Sequence, residues 1–175
     1  MRKLALACAA VGPAMVLGGC LGGGGTAPLA SSSTAVTAAP ALMSAAYVAA
    51  AASIDLYEIR AAQLALEKSQ DPANRALAQQ MLAAHEGTSA QLSMAGRRLN
   101  LLPSAILSPE HQAMLDALNA TTDFDNTYRA QQKILMREGV ALHGSYARNG
   151  ESPTLRPVAR NAEDVMRRNQ QALPR

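Results

Sequence analysis

The residues of this chain best suited to coordination chemistry are Glu58 and His85, which fall on two successive predicted helices. Carboxylate oxygens and imidazole nitrogens are common ligands of iron, manganese and zinc in proteins. Glu138, on a later helix, could also face the interior, but a mononuclear site needs three or four ligands, and one more would be required. We therefore consider two interpretations of Glu58 and His85, one as candidate metal ligands and one as structural residues. In the second interpretation they form a buried polar pair, bonded to each other or to Tyr128.

A di-iron centre in a helical bundle needs two Glu-x-x-His motifs and two further glutamates. No glutamate of this chain is followed by histidine three residues later. The residues found at that position, taken in chain order, are Ala61, Gln70, Ser89, Ala113, Ala141, Thr154 and Met166. This pattern lacks the di-iron ligand set, and we expect no cofactor and no catalytic residue.

The elements that position these residues are helices, because apolar residues recur at spacings of three and four. Asp71-Pro72 is a cap followed by proline at the first helical position, which predicts one helix ending near residue 69 and another over about 72–100. Ser108-Pro109 predicts a short helix to about 120. A long helix then begins at Thr122 or Asp123, and Asn149-Gly150 is predicted to end it with a left-handed glycine.

The last helix is predicted to begin at Ser152-Pro153 or nearer Pro157, and to continue to about Leu173. Together these segments predict an all-α fold: an antiparallel four-helix bundle over residues 44–175, with a short extra helix before the third long one. His111 is predicted to lie at the surface or in a contact at a helix start. His143 lies one position off the apolar stripe of its helix and is predicted to be exposed.

The N-terminal residues predict the cellular location of the protein. Arg2-Lys3 precedes an apolar run to Leu17 that is too short to span a bilayer comfortably, which is typical of a secretory signal. Leu17-Gly18-Gly19-Cys20 resembles the lipobox of bacterial lipoproteins, and the resemblance implies cleavage before Cys20 and lipid on its thiol. We expect a signal peptide over residues 1–19. The alternative is an ordinary signal peptide with an incidental cysteine.

The segment after Cys20 is rich in Gly, Ser, Thr, Ala and Pro, and we interpret residues 20–43 as the lipidated cysteine and a tether. Leu21 stands where an inner-membrane retention signal would have Asp, so we expect the outer membrane, facing the periplasm. Cys8 would leave with the signal, and the mature domain would contain no thiol.

Composition and charge narrow the function classes. The formal net charge is +3, and loss of Arg2 and Lys3 would leave 14 basic against 13 acidic residues, which is not a nucleic-acid-binding charge. Residues 126–175 nevertheless carry nine Lys and Arg against four Asp and Glu. This excess is either an ordinary solvated surface or a surface that meets anionic lipid or an acidic partner.

The ordered motifs resemble a known family. The run from Tyr47 to Leu92, followed by LPSAIL, HQAMLDAL, DFDNTY and YARNGESPTLRPVA, is similar to the bacterial family DUF4142 over about residues 46–173. The resemblance implies a ferritin-like four-helix bundle in a secreted or outer-membrane protein, without an established activity. It also implies Glu58 and His85 at polar family positions, whereas Met136 and Arg168 stand where the family usually has histidines.

From these observations we expect a non-enzymatic binding or structural module of the cell envelope. Its partners would be the membrane, through lipid on Cys20, and either another envelope protein or a second copy of the chain. The alternative is a ferritin-like metal-binding or redox domain with a degenerate site.

Overall fold

Five helices and no strand occur in the part of the chain that the computed structural model describes, residues 43–173. They are α1 (Ser44–Lys68), α2 (Pro72–Arg98), α3 (Pro109–Ala120), α4 (Phe124–Asn149) and α5 (Leu155–Gln171). The predicted all-helical bundle class is therefore confirmed. The predicted signal peptide, Cys20 and nearly all of the tether lie outside the described residues.

The helix starts follow the predicted chemistry in two places. The side chain of Asp71 accepts a hydrogen bond from the N–H of Ala73 at 2.8 Å, and Pro72 occupies the first turn of α2. Ser108 likewise accepts from the N–H of His111 at 3.2 Å, at the start of α3. Each cap satisfies an amide that has no partner inside its own helix.

The end of α4 differs from the prediction. Gly150 has φ −64° and ψ 143°, which is extended rather than left-handed backbone. The glycine is needed for space, because a Cβ at this position would overlap the ring and the backbone oxygen of Tyr146. The positive φ occurs instead at Asn100, with φ 56°, just after α2.

The bundle is assembled from two helix pairs. α1 packs along α2, and α4 packs along α5, while contacts between α2 and α5 and between α1 and α4 join the pairs. α3 lies against α1 and α4. The start of α1 meets the end of α4, where Tyr47 contacts His143, and the end of α1 meets the start of α4, where Ser69 contacts Asp125. These two helices therefore run in opposite directions.

Two apolar clusters fill the interior. One is built around Tyr57, Met81, Leu118, Leu135 and Met166. The other is built around Tyr47, Leu92, Tyr146, Leu155 and Ala159. Close helix approach depends on small residues: a Cβ on Gly139 of α4 would lie 2.9 Å from Met166 Sδ on α5. No helix between residues 43 and 173 combines the length and apolar character needed to cross a membrane.

Candidate functional site

Asp55 and His85 form a buried charge pair between α1 and α2. His85 Nδ1 lies 2.9 Å from Asp55 Oδ1, and Thr88 donates to the same oxygen at 2.7 Å. His85 and Thr88 are three residues apart, so one face of α2 presents both groups to a single carboxylate. On α2 they lie between Met81 of the first apolar cluster and Leu92 of the second. The pair is thus embedded in the core.

Glu58 lies one turn after Asp55 and is bonded to α4. Gln132 Nε2 donates to Glu58 Oε2 at 2.6 Å, and both side chains are fully buried. Tyr128, one turn before Gln132 on α4, is also fully buried. We call Asp55, Glu58, His85, Thr88, Tyr128 and Gln132 the core polar cluster.

Several atoms of this cluster have no hydrogen-bond partner in the described part of the protein. They are Glu58 Oε1, His85 Nε2, Tyr128 Oη and Gln132 Oε1. A buried polar atom without a partner costs about 1–3 kcal/mol, and such atoms are rare in folded proteins. Four of them in one cluster therefore mark the strongest candidate site in the bundle.

Burial and neighbouring charges have opposite effects on the pKa values of Glu58 and His85. Burial raises the pKa of Glu58, and this exceeds the lowering by His85 and by the hydrogen bond from Gln132. For His85, burial lowers the pKa, but the bond to Asp55 and the nearby Glu58 together raise it above its ordinary value. The cluster therefore favours a protonated imidazole held by Asp55 and a carboxyl group that ionises reluctantly.

A second buried histidine lies nearer the start of α1. His143 Nδ1 is 3.0 Å from the hydroxyl of Tyr47, whose ring stacks on Tyr146 with centroids 3.9 Å apart. The predicted exposure of His143 is wrong, since only 2% of the residue is exposed. α4 contacts both α1 and α5, so its buried face is wider than one stripe. Burial lowers the pKa of His143 to about 4.

The third histidine joins α1, α3 and α4. His111 Nδ1 lies 2.7 Å from Ser53 Oγ, and its Nε2 lies 3.4 Å from the Glu138 carboxylate. His111 is 4% exposed, so of its two predicted positions the surface is wrong, and it lies in a contact at the start of α3. Ser53, His111 and Glu138 follow one another in the order found at an activated serine nucleophile. However, Ser53 Oγ also accepts a hydrogen bond from the Ser108 N–H at 2.8 Å. These bonds attach the start of α3 to the rest of the bundle.

A surface cleft of about 570 Å³ lies over this third histidine. Its walls come from the start of α1, the segment before α3, and α4, with small and apolar residues such as Ala49, Ile106 and Leu107. The side chain of Glu138 is 46% exposed at this cleft. Glu138 therefore faces the surface beside His111 and does not join Glu58 and His85 in the interior.

The donor set of the core polar cluster does not fit a ferritin-like metal centre. Within residues 43–173, no group of three or more His, Cys, Asp or Glu is arranged to hold a metal ion. Met136 is buried in the core and contributes no nitrogen or oxygen ligand, and Arg168 is exposed. Glu58 and His85 thus supply two candidate ligands where three or four are needed.

The two residues singled out from the sequence are both buried, Glu58 at 0% and His85 at 1% exposure. Their hydrogen-bond partners are Gln132 and Asp55, respectively, rather than each other or Tyr128. Asp55 was not predicted from the sequence. The spacing of His85 and Thr88 places two polar groups on one face of α2, but it does not identify the residue of α1 that they meet.

Residues 29–174 match the profile of a protein family described as "Domain of unknown function (DUF4142)". The match includes all five helices and the core polar cluster. Comparisons with curated proteins and with solved structures gave no significant match.

Proposed function

Since the chain belongs to the DUF4142 family, we propose that it is a lipid-anchored helical bundle of a Gram-negative cell envelope, acting as a binding or structural module rather than as an enzyme. Cys20 would carry the lipid, and the bundle would face the periplasm from the outer membrane. The observation that carries the proposal is the order of a basic start, an apolar run and Leu17-Gly18-Gly19-Cys20. More than one acyl chain at a cysteine gives stable anchoring, where a single chain gives only marginal binding.

The bundle itself supports a role in binding or scaffolding. Several of its buried polar groups hold helices together: Asp55 joins α1 to α2, and Ser53 and His111 join α1 to α3. Several basic side chains of the C-terminal half lie at the surface, among them Arg156, Arg160 and Arg167 on α5. Such a surface suits an acidic envelope protein or the anionic groups of a membrane.

The anchoring proposal is tested in bacteria fed a fatty acid that carries a chemical tag. The wild-type chain should incorporate the tag and sediment with membranes. Cys20→Ala should do neither. Cys8→Ala is the matched control, because this cysteine lies in the segment expected to be removed, and it should behave as wild type. A Cys20→Ala chain that is still tagged and membrane-bound would refute the proposal.

A metal-binding or redox domain is the second candidate function. The observation in its favour is that Glu58 Oε1 and His85 Nε2 are both buried without partners. The small number of carboxylate and imidazole ligands ranks it below the first. Its test is thermal unfolding with and without Fe, Zn, Cu and Mn salts. A metal at about 1,000 times its dissociation constant would stabilise the protein by roughly 4 kcal/mol, and His85→Ala should abolish that shift.

A further inference from the structure

The alignment of α1, α2 and α4 determines which residues of the core polar cluster lie opposite one another. α1 and α2 reverse direction at residues 69–71, so residues further along α1 face residues earlier on α2. Asp55 is opposite Thr88, to which it is bonded. Three residues later on α1 and three residues earlier on α2, Glu58 and His85 therefore lie at the same level.

α4 brings the remaining groups to this level. The hydrogen bond from Gln132 to Glu58 fixes Gln132 opposite Glu58, and Tyr128 lies one turn away on the same face of α4. Burial is the main cause that raises the pKa of the Tyr128 hydroxyl, and the charge of Glu58 raises it further. The influence of Glu58 agrees with this proximity. The side chains of the four partnerless polar atoms thus come from three helices and lie at one level of the bundle.

The chemistry of these atoms is that of a hydration site. His85 is held by Asp55 at Nδ1 and so presents an N–H at Nε2 when protonated, and the hydroxyl of Tyr128 can donate or accept. Glu58 Oε1 and Gln132 Oε1 are acceptors. A water molecule has two donors and two acceptors, and buried waters typically make about three bonds to groups left unpaired by the protein. A metal ion would be repelled by the imidazolium, and Asp55 is already bonded to His85 and Thr88.

We propose that the core of the bundle binds ordered water between Glu58 Oε1, His85 Nε2, Tyr128 Oη and Gln132 Oε1. The water completes a buried chain of hydrogen bonds that runs from Asp55 through His85 to Glu58 and Tyr128. It satisfies groups that the protein alone leaves unpaired, and it links α1, α2 and α4 at a single level.

Two tyrosines provide a matched test. Tyr57 and Tyr128 are both fully buried, but the Tyr57 hydroxyl donates to Gln131 Oε1 at 2.5 Å, whereas the Tyr128 hydroxyl has no protein partner among the described residues. Tyr57→Phe and Tyr128→Phe of the full chain are compared by thermal unfolding. If water occupies the site, both substitutions lower the melting temperature by similar amounts. If the site is dry, Tyr128→Phe leaves the melting temperature unchanged or raises it.

Direct detection accompanies the stability measurement. In wild type, NMR should show magnetisation transfer from long-lived water to the side-chain amide of Gln132, and Tyr128→Phe should weaken it. Elemental analysis of the purified full chain should find no stoichiometric metal. A dry site, shown by absent transfer and an unaffected Tyr128→Phe, overturns the proposal. A bound metal that His85→Ala releases also overturns it and supports the second candidate function.

Discussion

His85 Nδ1 lies 2.9 Å from Asp55 Oδ1, and the two residues are almost completely withdrawn from solvent. Loss of one member of a buried charge pair leaves the other without compensation, which typically costs about 3–5 kcal/mol. Asp55→Asn should therefore lower the free energy of unfolding by about 3 kcal/mol, measured by urea denaturation at neutral pH. Asp164→Asn, at an exposed position of α5, is the control and should change stability by less than about 0.5 kcal/mol. Equal effects of the two substitutions would contradict a structural charge pair.

His143 should make the folded protein sensitive to acid. Its folded pKa of about 4 lies below the ordinary value of 6.5, chiefly because of burial, so the unfolded chain binds a proton that the folded chain does not. Its contribution to stability is complete above pH 6.5 and is lost as the pH falls toward 4. At about 1.4 kcal/mol for each pH unit, the loss is roughly 3 kcal/mol.

His143→Asn removes the titrating ring while keeping an acceptor for the Tyr47 hydroxyl. The charged groups that influence this position are Asp55 on α1, His85 on α2 and Glu163 on α5. Between pH 6.5 and 4, the variant should lose about 3 kcal/mol less than wild type in urea unfolding. Parallel pH profiles for the two proteins would show that His143 does not titrate as its burial requires.

The contribution of Glu58 to stability should depend on pH with the opposite sign to that of His143. Its pKa is raised in the folded state by burial, although His85, Gln132 and His111 lower it and Asp55 adds to the rise. Above pH 4.5 the unfolded chain loses this proton before the folded chain does, so the contribution of Glu58 to stability falls as the pH rises through that window. The glutamine of Glu58→Gln does not titrate, so the variant lacks this pH dependence. The variant should gain stability relative to wild type between about pH 4.5 and 7, and a constant difference would argue against a raised pKa.

Two glycines of the helical region should respond in opposite directions to alanine. Gly87 lies in α2, where an added Cβ would meet no atom within 4 Å, and Gly87→Ala should stabilise the protein by about 1 kcal/mol through helix propensity. Gly150→Ala should destabilise it by about 1–3 kcal/mol, because the new methyl group would meet the ring and backbone oxygen of Tyr146. Thermal unfolding of both variants checks the pair. Stabilisation by Gly150→Ala would show that Tyr146 can move aside.

Much of the fold was predictable because helix boundaries here depend on local chemistry. Asp71-Pro72 and Ser108-Pro109 start α2 and α3 through caps and proline, which the sequence displays directly. α5 begins at Leu155, between the two predicted starts, and this places Pro157 in the first turn, where a missing N–H costs no helical hydrogen bond. The end of α4 was predicted with the wrong backbone conformation because the constraint on Gly150 comes from contact with Tyr146.

The candidate site was predictable only in part because its partners come from different helices. The predicted burial of Glu58 and His85 is correct. Spacing within one helix does not specify which residue of the neighbouring helix they meet, so Asp55 was missed. The burial of His143 was missed for the same reason, since it lies where α4 contacts two neighbours.

The buried faces of α1 and α2 contain many small, nearly equivalent side chains, including Ala51, Ala61 and Ala65 on α1 and Ala78 and Ala95 on α2. A surface of repeated alanines would accept the opposing helix in several axial registers, each displaced from the next by about one turn. The bonds of Asp55 to His85 and Thr88 exist in only one of them. A slip of one turn would bury a carboxylate and an imidazole without partners, so the charged pair selects a single alignment that the alanines alone would leave degenerate.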